Sequence, residues 1–132
     1  DQECSVLDPG LTVFEQTGRF NASHLAEHEL KSILNRCLFP YETWDKPCFC
    51  LSGGEKIRLL FCCLMIGNNA PDVFILDEPT NNLDIQSVEI ITAAIKSYRG
   101  TVLLISHDHY FVKEIKINRS IKLFDTGSVI KI

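Results

Sequence analysis

The sequence predicts an α/β fold with a helical half, a parallel β-α-β unit and a C-terminal β-hairpin. Apolar residues recur at intervals of three and four up to residue 66, which is typical of amphipathic helices. From residue 67 onward, two short apolar runs flank another helical pattern, as parallel strands joined by a right-handed crossover do. The closing stretch "SIKLFDTGSVIKI" has the pattern of a strand on each side of Asp125-Thr126-Gly127, which predicts a hairpin.

Composition excludes several classes of function. The 132 residues are 45% hydrophobic and 23% charged, as in an ordinary globular domain. A net charge of −4 leaves no overall basic footprint for nucleic acid. The longest apolar run, residues 57–66, is too short to cross a bilayer. No signal peptide and no initiator methionine begin the sequence, so we expect a piece of a longer chain.

The helical half contains three predicted helices. "LTVFEQTGRF" follows a turn at Asp8-Pro9-Gly10. "ASHLAEHELKSILNRCLF" has the amphipathic period, with Ser23 as its expected N-cap and Pro40 as its stop. "PYETWDKPCFC" is expected to be a loop before the third helix, "LSGGEKIRLLFCCLMI", which is apolar on nearly every face.

The start of the third helix has two interpretations. Ser52 and Glu55 have the spacing of a capping box, in which each side chain accepts the other's backbone N–H. Gly53 and Gly54 cost helix stability, about 1 kcal/mol each relative to alanine, which indicates a need for bare backbone. Free N–H groups at a helix start suit a phosphate. The segment alone supports capping and phosphate binding equally.

Polar residues follow both predicted strands. "VFILD" carries the chain through a buried sheet and ends in Asp77 and Glu78, and "TVLLIS" is a second buried strand followed by His107. Because the carboxyl ends of parallel strands meet at one edge, where open α/β sheets bind ligands, we expect these three side chains to lie close together. Paired carboxylates suit Mg²⁺ and phosphoryl transfer, although a surface turn would also explain "DEP".

The predicted crossover helix, "LDIQSVEIITAAIKSY", ends at Gly100. The residues expected on its inner side are Ile85, Val88, Ile91, Ala94, Ile95 and Tyr98. The six cysteines lack zinc-ligand spacing, because Cys62 and Cys63 are adjacent and Cys48 and Cys50 are one residue apart. We therefore expect small buried apolar side chains in a reducing compartment.

Four motifs in order resemble the nucleotide-binding domain of ABC ATPases. "LSGGE" is similar to the signature motif, "VFILDE" to Walker B, "TNNLD" to the D-loop and Ser106-His107 to the switch histidine. "DQECSVLDPG" resembles the start of the Q-loop segment, with Gln2 as its glutamine. The resemblance implies a partial P-loop NTPase fold with a Q-loop segment (1–9), a helical subdomain (10–66) and a Walker B, D-loop and switch part (67–132). The phosphate loop G-x-x-x-x-G-K-[ST] does not occur here, and we expect it upstream.

"LSGGEKIRL", "DEPTNNLDIQSVE" and "SHDHYF" resemble the ABC-F subfamily in particular, soluble tandem ATPases of which many act on the ribosome. Asn82, where that subfamily commonly has His, and "KEIKINRS" depart from its pattern. The resemblance implies ATP and Mg²⁺ as cofactors, a second cassette bound head to tail, the ribosome as a partner and a cytoplasmic location.

The resemblance also implies a role for each site residue. Asp77 would help to hold Mg²⁺, Glu78 would act as general base, and His107 would contact the γ-phosphate. Gln2 would join the metal site to the helical region. The residues implied to bind nucleotide held by the partner cassette, or to lie at that pairing surface, are Ser52, Gly53, Gly54, Glu55 and Asp84. Asp84 is also the expected N-cap of the helix that follows it.

Two other functions stay open on the sequence. One is the ATPase subunit of an ABC transporter, which would dock a membrane domain on its helical region. The other is a nucleotide-binding or scaffold module without catalysis. In each case we expect this chain alone to be inactive, because the phosphate loop supplies most phosphate contacts. We also expect the isolated chain to self-associate through exposed sheet surface.

Overall fold

The computed structural model describes residues 6–67 and 72–121, together with the backbone of residues 122–123 and 129–131. Gln2, Cys4 and the hairpin tip at Asp125-Thr126-Gly127 therefore lie outside the described residues. Among the residues that are described, no helix has both the length and the apolar character that a bilayer crossing needs.

The order of elements confirms the predicted α/β fold. The helical half comprises α1 (Val13–Arg19), α2 (Glu27–Arg36), two 3₁₀ turns (Tyr41–Thr43 and Cys48–Cys50) and α3 (Gly53–Ile66). The second half comprises β1 (Val73–Asp77), α4 (Ile85–Ser97), β2 (Thr101–Ile105), α5 (His109–Glu114), β3 (Ile121–Leu123) and β4 (Val129–Lys131).

The two described sheets have the predicted strand directions. β1 and β2 pair in parallel, with Val73 opposite Thr101 and Asp77 opposite Ile105, and α4 is the crossover between them. β3 and β4 pair antiparallel, with Ile121 opposite Lys131. Both carboxyl ends of the parallel pair therefore lie at one edge of the sheet.

Helix α3 is the shared wall of two apolar cores. Leu59 and Cys62 face a core built with α1 and α2, in which Val13 and Leu34 are fully buried. Phe61, on another face of α3, packs into a second core. The remaining buried members of that second core are Leu76, Ile91, Ala94 and Phe111. This double contact explains why α3 is apolar on nearly every face.

The predicted loop between α2 and α3 is more ordered than the sequence indicates. Trp44 is buried between its two 3₁₀ turns, and its indole N–H donates to the carbonyl of Phe39 at 2.8 Å. Of the described cysteines, Cys37, Cys48, Cys62 and Cys63 are buried as expected, with burial raising the pKa of the Cys63 thiol well above its ordinary value. Cys50 is exposed, so the prediction was wrong for that residue.

Ser23 is not the N-cap of α2. The helix begins at Glu27, with Ala26 in the capping position and the Glu29 carboxylate accepting the Ala26 N–H at 2.8 Å. Asn21 explains the difference, because its side chain bonds both the N–H and the carbonyl of Leu25, at 2.8 and 2.9 Å. These bonds hold the intervening residues in a loop and delay the start of the helix.

The prediction that β1 and β2 are buried was wrong for one face of the sheet. Val73 and Ile75 are 56% and 65% exposed, and Leu103 and Ile105 are 48% and 49% exposed. Only the opposite face of the strands packs on α3 and α4, as the burial of Leu76 shows. The exposed apolar face, defined by Val73, Ile75, Leu103 and Ile105, is called the open sheet face below.

Ile85 was also placed incorrectly, because it is 80% exposed rather than on the inner side of α4. The buried side of α4 is centred on Ile91 and Ala94. Ile91 is six positions after Ile85, which corresponds to a net rotation of about 240° around the helix axis. Ile85 therefore lies on the far side of the helix from the core.

Candidate functional site

The start of α3 has the predicted capping box. The hydroxyl of Ser52 accepts the Glu55 N–H at 3.2 Å, and the Ser52 N–H donates to Glu55 Oε2 at 2.7 Å. These two bonds satisfy two of the backbone groups that a helix start leaves without partners. The capping interpretation is therefore confirmed.

Lys46 stabilises this capping box from the preceding loop. Its ammonium lies 3.2 Å from Glu55 Oε1, and its backbone carbonyl accepts the Val13 N–H at 3.1 Å. Burial of the Glu55 carboxyl raises its pKa, but the Ser52 N–H and Lys46 outweigh burial and hold the pKa below its ordinary value. Lys46 thus joins the start of α3 to α1, and no local sequence pattern indicated this contact.

The two glycines of α3 have different surroundings. A Cβ atom on Gly53 would meet nothing within 4 Å. A Cβ atom on Gly54 would lie 2.8 Å from Leu83 Cδ2, closer than real Cβ contacts allow. A side chain at position 54 would therefore have to displace the end of the Leu83 side chain, whereas Gly53 has open space beside it.

Glu78 and His107 meet at the carboxyl edge of the parallel sheet, as the strand order predicts. The Glu78 N–H donates to the carbonyl of Ile105 at 2.8 Å, which extends the β1–β2 ladder by one residue. The His107 N–H donates to Glu78 Oε1 at 3.1 Å. The His107 ring is 98% exposed, with Nε2 at 3.6 Å from the same carboxylate oxygen. Backbone bonds thus fix Glu78 while the imidazole faces solvent.

Glu78 has an unusual backbone conformation. Its φ is +46°, in the left-handed region that costs a non-glycine residue of order 1 kcal/mol or more. The following turn is closed by a bond from the Asn81 N–H to the Glu78 carbonyl at 3.1 Å. The left-handed conformation of Glu78 turns the chain sharply away from β1 directly after the strand ends.

Asp84 ends the turn and begins α4. Its carboxylate accepts the N–H and the hydroxyl of Ser87, each at 2.8 Å. The bond from the Ser87 N–H, followed by that from its hydroxyl, lowers the pKa of Asp84. The predicted N-cap role of Asp84 is confirmed.

A groove of about 870 Å³ joins these parts of the site. One wall is the start of α3, and the other runs from the end of β1 to the start of α4. The predicted site residues that line it are Ser52, Gly53, Gly54, Glu55, Asp77, Glu78 and Asp84. His107 stands beside the groove through its contact with Glu78, and Gln2 lies outside the described residues.

The carboxylates fit a magnesium ion better than a metal that needs a complete protein cage. Within residues 6–67 and 72–121, no cluster of three or more His, Cys, Asp or Glu side chains could hold a metal by itself. Mg²⁺ requires only one or two carboxylates, since waters and substrate phosphates complete its shell. Asp77, exposed at the end of β1, can supply that contact.

Comparison with known proteins identifies the family. A family model described as ABC transporter matches residues 1–81. The chain belongs to this family. It is 46% identical over 99 residues to ABC transporter F family member 2 of Arabidopsis thaliana, covering 75% of this chain and 14% of the relative. It is 42% identical over 123 residues to ABC transporter F family member 5 of the same plant, covering 93% of this chain and 17% of the relative.

Solved structures show the same fold. RNase-L Inhibitor matches with a TM-score of 0.67 and 21% identity, over 95% of this chain and 25% of that chain. The dimeric structure of MJ0796, a bacterial ABC transporter cassette, matches with a TM-score of 0.61 and 21% identity, over 82% of this chain and 51% of that chain. The chain is thus part of an ABC ATPase domain with ABC-F relatives, and it spans less than a fifth of the length of the two ABC-F relatives.

The Lys46–Glu55 pair should make stability depend on pH. We expect Glu55→Gln to lower the free energy of unfolding at pH 7 by about 0.5–1 kcal/mol, because the amide still accepts the Ser52 N–H but loses the attraction to Lys46. The folded pKa lies below the ordinary 4.5, so the carboxylate's contribution is full above that value and is lost as pH falls through the folded pKa. Denaturant titrations across the acid range measure the difference.

Lys46→Met is the matched control for this experiment. It should cause a similar loss at pH 7, and in its background Glu55→Gln should add little. If wild type and Glu55→Gln differ by the same amount at neutral and at strongly acid pH, the ion pair does not stabilise the start of α3.

Proposed function

We propose that the chain is the signature, Walker B and switch part of an ATP-hydrolysing cassette in a soluble ABC-F protein that acts on the ribosome in the cytoplasm. One observation carries the proposal of hydrolysis. Glu78 and His107 meet at the carboxyl edge of two parallel strands in a chain of the ABC family. The ABC-F relatives support the finer assignment to that subfamily.

In this proposal Glu78 is the general base. Bonds from the His107 N–H and to the Ile105 carbonyl hold the residue at one position, so its carboxylate can take a proton from an attacking water without first reorienting. His107 presents a solvent-facing imidazole beside that carboxylate, where it can donate to a γ-phosphate oxygen. Asp77 is the proposed magnesium contact, and Mg²⁺ when bound neutralises phosphate charge.

The start of α3 is the proposed second phosphate contact. Ser52 presents its hydroxyl and Gly53 its backbone amide at a helix N-terminus, and the open space at Gly53 admits an oxygen of the γ-phosphate. The nucleotide concerned would be held by a second cassette arranged head to tail, with Asp84 at the same surface. The dimeric MJ0796 cassette supports pairing in this family. Glu55 acts here by capping, while Gln2 remains a proposed link to the metal.

The proposed division of the chain follows the family pattern. The Q-loop segment covers residues 1–9, the helical subdomain residues 10–66, and the Walker B, D-loop and switch part residues 67–132. α3 connects the last two parts, since it contributes to both apolar cores. Motion of the helical subdomain would therefore reach the carboxyl edge of the sheet through α3.

Glu78→Gln tests the proposed base in the intact polypeptide, because these 132 residues contain no phosphate loop. The substitution removes the base but preserves size, so hydrolysis at this site should fall roughly 10²–10⁴-fold while ATP still binds. Asp77→Asn should instead weaken magnesium-dependent binding. Phosphate release and nucleotide retention are the measurements.

Glu89→Gln is the matched control, because Glu89 is an exposed carboxylate on α4. It should hydrolyse ATP as wild type does. A wild-type hydrolysis rate in Glu78→Gln would show that Glu78 is not the base and would remove the main support for the proposed activity.

The open sheet face is the proposed surface of self-association in the isolated chain. Parallel sheets are usually covered on both faces, and the four apolar side chains here are each about half exposed or more. A second copy of the chain can cover them by the same surface on both partners. Sedimentation velocity should therefore show dimers or larger species whose fraction rises with concentration.

Ile75→Thr combined with Leu103→Thr should shift the chain toward monomer, since both changes keep strand propensity but make the open sheet face more polar. The control is Ile85→Thr, which alters an exposed isoleucine on α4. A wild-type chain that sediments as a monomer at every concentration would contradict the proposed self-association.

A further inference from the structure

The start of α3 and the turn before α4 touch at Gly54 and Leu83. A Cβ atom at position 54 would overlap Leu83 Cδ2, whereas a Cβ atom on Gly53, or on Gly18 of α1, would meet nothing within 4 Å. A side chain at position 54 therefore requires the end of the Leu83 side chain to move. This packing requirement is separate from any contact of the glycine backbone with phosphate.

The Leu83 side chain is partly buried against the second apolar core, which includes Phe61 and Leu76, so moving it disturbs that packing. The Leu83 backbone N–H donates to the Thr80 carbonyl at 3.2 Å, which closes the turn around it. A methyl group added at Gly54 must therefore push the end of the Leu83 side chain against that core, or displace the turn or the helix start.

Leu83 also lies between two residues of the proposed site. The turn begins at Glu78, whose carbonyl accepts the Asn81 N–H, and it ends at Asp84, which caps α4 through Ser87. α3 and this turn form the two walls of the 870 Å³ groove. At the Gly54–Leu83 contact, one wall of the groove thus packs directly against the other.

We propose that Leu83 is a positioning residue that sets the spacing between the start of α3 and the turn bearing Glu78 and Asp84. By resting on Gly54, it makes the two walls of the groove move together. The consequence for catalysis rests on the proposed function, because the spacing matters to hydrolysis only if Glu78 is the base. The packing itself is independent of that function.

A double-mutant cycle in the intact polypeptide tests the contact without nucleotide. Gly54→Ala should increase hydrogen exchange of the backbone amides of residues 80–84 by roughly 10-fold, because overpacking displaces the turn. In a Leu83→Ala background the same substitution should have no further effect, since the displaced methyl groups are absent. Gly18→Ala is the matched control and should leave the exchange of these residues unchanged.

Wild type, Gly54→Ala, Leu83→Ala and the double variant also give a kinetic measurement, which an effect on packing alone would leave unchanged. Gly54→Ala should lower kcat for ATP hydrolysis roughly 10–100-fold with little change in KM, because the base is misplaced. Added to Leu83→Ala, it should lower kcat much less. A loss of equal size in both backgrounds, or a rise in KM without loss of kcat, would show that Gly54 acts on phosphate directly and would overturn the role of Leu83.

The two readouts separate this proposal from the proposed function. If wild type does not hydrolyse ATP, the ATPase assignment fails, and hydrogen exchange still decides whether Leu83 sets the spacing. If wild type hydrolyses ATP but Gly54→Ala changes exchange equally in both backgrounds, the ATPase assignment stands and the positioning role of Leu83 is overturned.

Discussion

The parallel pairing of β1 with β2 is the constraint on which the site depends. Its register places Asp77 opposite Ile105, so the residues that follow each strand emerge at one edge. The Glu78 N–H continues the ladder to Ile105, and the His107 N–H then binds the Glu78 carboxylate. The left-handed conformation of Glu78 is tolerated because its bonds with Ile105, His107 and Asn81 hold it. Without the parallel register, Glu78 and His107 would not be brought together at one edge of the sheet.

Helix α3 connects the parallel strands to the helical half of the molecule. Its buried faces join the helical core to the core under the sheet, and its first turn forms one wall of the groove. Lys46 fixes that first turn through Glu55, and Leu83 rests on it through Gly54. The start of α3 is thus held from both sides, by the loop that precedes it and by the turn that precedes α4.

Features determined by neighbouring residues could be predicted from the sequence. The capping box at Ser52, the N-cap at Asp84, both limits of β1 and the start of β2 follow from local patterns, and the structure has them all. The meeting of Glu78 with His107 was also predictable, because strand direction alone fixes which ends share an edge. The chemistry proposed for these residues was indicated by motif order rather than by any single residue.

Features determined by tertiary packing could not be predicted in this way. Strand sequence does not reveal whether a face is covered, so Ile75 and Leu103 were expected to be buried. The N-cap of α2 was misplaced because the side chain of Asn21 organises the loop before it. Lys46 and Leu83 were missed for the same reason, since each acts on a residue that folding alone brings into contact.

In the proposed function, the start of α3 and the Glu78–His107 edge are the two sides of γ-phosphate sites in paired cassettes. Vanadate-induced photocleavage tests this claim most directly, because vanadate trapped with Mg-ADP occupies the γ-phosphate position and cuts nearby backbone under ultraviolet light. In the intact polypeptide we expect cuts at Ser52 and next to His107, each dependent on Mg²⁺ and nucleotide. Trapped vanadate that cuts neither segment would contradict the claim.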